Sequence, residues 1–103
     1  MLGTNAIGSE IRGGGQTLGK IVDAFIDQET GRLNYIVIQT SSELDFEPRL
    51  VPIPIETLDF NIFRRTLTVP LNEAELEEAP RLDEDAPTRI SRELKKEIDN
   101  FYK

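Results

Sequence analysis

Gly14-Gly15-Gln16-Thr17-Leu18-Gly19-Lys20 spells the first seven positions of a phosphate-binding loop, in which backbone N–H groups and a lysine cradle phosphates. The eighth position must offer a hydroxyl to magnesium, and Ile21 stands there. The residues after Lys20 read as strand, whereas an anion site of this kind needs a helix N-terminus. A glycine turn between strands is the better account, and no nucleotide is expected. Asp27, Glu29 and Gly31 resemble the opening of a calcium loop, but the glycine comes one place early and the twelfth position, where a bidentate acid belongs, is Ile38. Ser41-Ser42 lacks an imidazole to activate it, because the chain contains no histidine. Carboxylates are plentiful at Glu43/Asp45/Glu47, Glu77/Glu78 and Asp83/Glu84/Asp85. General acid–base work needs one desolvated and one ionised carboxyl around a cleft, and runs of acids in loops are normally solvated. Arg64-Arg65 is a basic doublet that is too small for nucleic acid and sufficient for one carboxylate partner.

Composition narrows the chemistry further. Zero cysteines and zero histidines among 103 residues remove thiolate nucleophiles, disulfides, iron–sulfur clusters and the usual zinc ligands. No catalytic site, cofactor or metal is therefore expected, and the chain is read as a non-enzyme. A net charge of -7 argues against binding a phosphate backbone. The acids are uneven: Glu73 to Asp85 holds seven of them with only Arg81 in opposition. No apolar run is long enough to cross a bilayer and no secretory start is visible, so a cytoplasmic location without membrane insertion is expected.

One stripe remains that could bind something apolar. Ile90, Leu94, Ile98 and Phe101 recur at spacings of four, four and three, with Tyr102 beside them. This predicts an amphipathic helix over residues 87–101, capped by Asp85 or Thr88. The stripe either folds back on its own domain or packs on another subunit as a symmetric dimer, and these five residues are the candidate interaction surface.

The elements that must carry these residues are mostly short strands. Glu10-Ile11-Arg12 leads into the Gly13–Gly15 turn, and residues 17–27 form a second strand that is apolar on both parities, which predicts a bulge or strong curvature. Asp27 to Gly31 is a turn, and residues 32–40 are the most strand-like in the chain. Residues 49–54 alternate, with prolines that place them at a sheet edge or a strand end. Leu58, Phe60 and Ile62 alternate again; residues 61–64 turn the chain; Leu67, Val69 and Leu71 point inward from a last strand. Asn72 caps one or two helical turns that stop before Pro80. The expectation is a mainly β fold: a small six-stranded antiparallel barrel, closed because closure removes exposed edges, with a short helix and the C-terminal helix.

Three ordered segments carry a resemblance. Ile7-Gly8-Ser9-Glu10-Ile11, residues 17–27 from Thr-Leu-Gly-Lys-Ile-Val-Asp, and Thr30-Gly31-Arg32-Leu33-Asn34-Tyr35-Ile36-Val37-Ile38 strongly resemble the PRC-barrel domain family. Leu50-Val51-Pro52-Ile53-Pro54-Ile55-Glu56-Thr57-Leu58 and Leu76-Glu77-Glu78-Ala79-Pro80 resemble its later pieces, so that the likeness runs over about residues 2–82. It implies a six-stranded barrel over residues 1–82, followed by an acidic loop and helix at 83–103. It carries no catalytic residue set: similar proteins include the cytoplasmic domain of the photosynthetic reaction-centre H subunit, the C-terminal domain of a ribosome-maturation factor and stand-alone short proteins, and this chain looks like the stand-alone type. The function expected is a protein-interaction or assembly module whose partners include a second copy of itself. The alternative is an accessory domain handling protons or cations through its acidic clusters near a membrane complex.

Overall fold

The computed structural model describes residues 7–27, 29–61, 63–64, 66–82 and 89–102. Six strands, β1 (Glu10–Gly13), β2 (Gln16–Ile26), β3 (Leu33–Thr40), β4 (Leu50–Pro54), β5 (Asp59–Asn61) and β6 (Thr66–Thr68), are joined by α1 (Glu73–Glu78) and α2 (Arg92–Phe101). They form one mixed sheet in the order β4-β3-β2-β1-β6-β5.

The double-sided apolar pattern of β2 resolves into bulges. Ile11 pairs with Gly19 but Arg12 with Thr17, so Leu18 is the extra residue on the β1 side. Ile21 pairs with Ile38 but Asp23 with Val37, so Val22 is the extra residue on the β3 side. Each insertion shifts the inward parity, and both Leu18 and Ile21 are buried as a result. Gly19 lies between them against β3, where any Cβ would strike the carbonyl of Gln39. The β2–β3 turn closes as its residues predict: Gly31 takes φ 70° and donates its N–H to the Asp27 carbonyl at 2.8 Å. Glu29 and Thr30 donate theirs to Asp27 Oδ1.

Ile11, Leu18, Ile21, Ile36, Ile38, Val51, Ile53, Leu67, Val69 and Leu71 meet in one core. Leu44 seals it from a loop and Leu76 from α1. That helix starts as a capping box: Glu75 donates its N–H to Asn72 Oδ1 at 2.8 Å, and the Asn72 N–H is donated to Glu75 Oε1 at 3.1 Å.

Two expectations about the sheet need correction. It is not wholly antiparallel, because β1 and β6 run parallel, with Ile11 opposite Leu67 and Arg12 opposite Thr68. Nor is it closed: among the described residues no ladder joins β4 to β5. The outer side of β4 is poor in donors because Pro52 and Pro54 have no N–H. The Leu50 carbonyl there accepts from the N–H of Leu82 at 3.0 Å. The chain's own continuation thus occupies the flank on which β5 would have closed the barrel.

α2 also starts later than its periodicity suggests. Its cap is Ser91, whose Oγ accepts from the Leu94 N–H at 3.1 Å, and Ile90 precedes the helix. The caps expected at Asp85 and Thr88 lie outside the described residues. Among the described residues no helix is long and apolar enough to cross a membrane.

Candidate interaction surface

The C-terminal stripe is seated on the sheet that precedes it. Ile98 is fully buried, Phe101 and Tyr102 pack half-buried against the core, and Leu94 and Ile90 are partly covered. α2 lies against β4, and Tyr35 on β3 donates its hydroxyl to Asp99 Oδ1 at 3.3 Å. Burial first, then the negative charge of Asp99, pushes the Tyr35 phenol up to about 12. Burial likewise raises that of Tyr102, whose ring meets Phe101 edge to face at 4.9 Å between centroids.

Of the acidic residues, Glu73 has a structural role. Glu73 Oε2 accepts the Asp45 N–H at 2.7 Å, and its Oε1 accepts from Gln16 Nε2 at 3.4 Å, tying α1 to the 41–49 loop and to β2. Arg49 donates to the carbonyls of Glu47 and Glu77 and lies over the Phe46 ring, 4.4 Å from its centroid. Thr40, buried, accepts the Arg49 N–H at 2.8 Å through Oγ1 and fixes the base of that loop. Among the described residues no three carboxylates converge as a metal site. Asp83, Glu84 and Asp85 lie outside the described residues. The Gly14–Lys20 segment forms a strand turn with positive φ at Gly14 and Gly15, without the helix a phosphate loop needs.

The sheet's two edges are unequal. α2 and Leu82 cover β4, whereas β5 has no second neighbour among the described residues. At that open edge Phe60 is 58% exposed, and Phe63, in the β5–β6 turn, is 95% exposed. The turn is a built feature: Asn61 Oδ1 accepts the N–H groups of both Phe63 and Arg64, at 3.0 and 3.1 Å. Alternation predicts Phe60 inward, and its pairing opposite buried Leu67 does put it on the core side. It stays exposed because, among the described residues, no further strand covers it. The sequence reading did not single out Phe63, although a large apolar residue in an expected turn was the signal that could have found it.

A family model for the PRC-barrel domain matches residues 1–76. The chain belongs to the PRC-barrel domain family. The PRC-barrel match takes in all six strands and ends inside α1, so Ala79-Pro80 and α2 lie beyond it. The sheet, with its bulged β2 and its β2–β3 hairpin, is consistent with a PRC-barrel fold. No curated protein sequence matches the chain.

Proposed function

We propose that this PRC-barrel chain is a non-enzymatic cytoplasmic module for protein interaction and assembly, docking through the β5 edge and the Phe63 turn. The observation that carries the reading is the 95% exposure of Phe63 in a turn held by two hydrogen bonds. A large apolar side chain presented on a fixed turn next to a strand edge that is unpaired among the described residues has the form of a binding anchor. An uncovered edge is otherwise a liability that proteins blunt with prolines or cover, as the opposite edge is here.

The test compares tagged wild-type protein with Phe63→Ser and Phe60→Ser in cross-linked capture from the source cells. Both residues are exposed, so the variants should melt like the wild type. A protein held in stoichiometric amount by the wild type and lost from both variants is the expected result. Identical capture by all three would overturn the assignment of this surface.

A further inference from the structure

The outer face of β3 and β4 carries an apolar layer of its own. Ile36, Ile38, Val51 and Ile53 point into the main core, so the residues alternating with them face the other side. Those residues are Tyr35 and Val37, paired with Pro54 and Pro52, and all four are buried. Their cover is α2: it lies against β4, Tyr35 donates its hydroxyl to Asp99, and the neighbouring Ile98 is fully buried yet no part of the main core. The PRC-barrel match includes this floor and ends before its cover. That cover is weakly held. Ile98 is the one buried side chain of α2, and the link to Asp99 is long at 3.3 Å. The Tyr102 hydroxyl is enclosed without a partner among the described residues. A helix of ten residues does not persist alone in water, so α2 is folded only while it is seated.

We infer that this face is a helix-binding groove with α2 as its replaceable occupant, and that its partner is an amphipathic helix of another protein bearing the same stripe with one improvement. The stripe is read from α2 itself: aliphatic residues at the positions of Leu94 and Ile98, and a carboxylate at that of Asp99 to accept from Tyr35. The improvement is phenylalanine at the position of Tyr102, which keeps the ring and leaves no hydroxyl to bury unpaired. Tethering favours α2 over any free helix, so a competitor needs an advantage in its contacts. A second copy's α2 has none, because it brings the same tyrosine. The groove lies at the opposite end of the strand order from β5, so both surfaces can be occupied at once.

The probe is a fluorescein-labelled synthetic peptide of residues 89–103 carrying Tyr102→Phe, titrated with the intact chain and read by fluorescence anisotropy. It should bind the wild-type chain about tenfold more tightly than the same peptide with its tyrosine retained, as relief of one buried hydroxyl allows. Binding should also speed hydrogen exchange at the Lys95 and Tyr102 N–H groups of the chain, which α2 protects while seated. Moving the substitution from peptide to chain should reverse the effect: the Tyr102→Phe chain holds its own α2 harder and binds the peptide about tenfold less tightly. No binding, equal affinity for the two peptides, equal affinity of the two chains, or binding with exchange in α2 unchanged would each overturn the groove. An intact chain of twice the 11.7 kDa mass that Ile98→Ala turns monomeric would seat a second copy's α2 there and overturn the foreign helix.

Discussion

The Tyr102 hydroxyl is buried without a hydrogen-bond partner among the described residues, although its ring packs against the core. A buried, unsatisfied hydroxyl is destabilising, whereas the ring that carries it is not. Tyr102→Phe is therefore expected to raise stability by about 1–2 kcal/mol in urea unfolding, an unusual sign for a change in a packed residue. Gly19 gives the opposite case: its Cα approaches the β3 backbone where no Cβ fits, and Gly19→Ala should lower stability by about 1–3 kcal/mol as β2 and β3 are forced apart. An unmoved urea midpoint in Gly19→Ala would show that β2 has room to shift.

Among the elements, β3 was the most legible and α2 the least. Ile36, Val37 and Ile38 read as consecutive buried strand residues, and all three are at most 1% exposed because β3 lies between two neighbours and under the core. Ile38→Ala is expected to cost about 2–5 kcal/mol in the same urea assay. The bulges of β2 were also readable, since only a parity switch reconciles Leu18 with Ile21. The open edge was not readable: alternation at Leu58 and Phe60 says which way residues point, not whether another strand arrives. On the β4 flank the Leu82 N–H is donated to the Leu50 carbonyl, a tertiary contact with no local signature. The fate of the C-terminal stripe was similarly ambiguous, because four apolar residues at helical spacing fit their own sheet or a neighbour's equally well. The contact between α2 and the sheet carries a pH signature. Tyr35 titrates near 10 in the unfolded chain and is pushed up to about 12 in the folded one. Its contribution is complete below pH 10 and declines as pH rises towards about 12, since ionisation then favours unfolding. The melting temperature should fall across that interval, with tyrosinate absorbance rising in parallel. The double variant Tyr35→Phe/Tyr102→Phe should flatten the fall; an equally steep fall would assign it to other groups.

At the scale of the whole molecule, the two ends of the strand order differ in what protects them, and a single substitution separates their roles. Ile98 is fully buried on the inner face of α2, so Ile98→Ala should cost about 2–5 kcal/mol of stability while leaving the mass in solution unchanged. A change of that mass, with the fold intact, would show that α2 takes part in contacts between molecules. The parallel joint between β1 and β6 has a further consequence, in time rather than in space. β2, β3 and β4 can pair in sequence as each is synthesised, but Ile11 has no partner on its β6 side until Leu67 has been made. Contacts so distant along the chain form late, because a long loop must close before they are rewarded. Truncating Leu67 to Ala should accordingly speed unfolding in stopped-flow measurements and leave refolding nearly unchanged, whereas truncating Val37 should slow refolding. During translation β1 thus pairs with β2 early but gains its second neighbour late, and the nascent chain carries Ile11 half-covered until the sixth strand emerges.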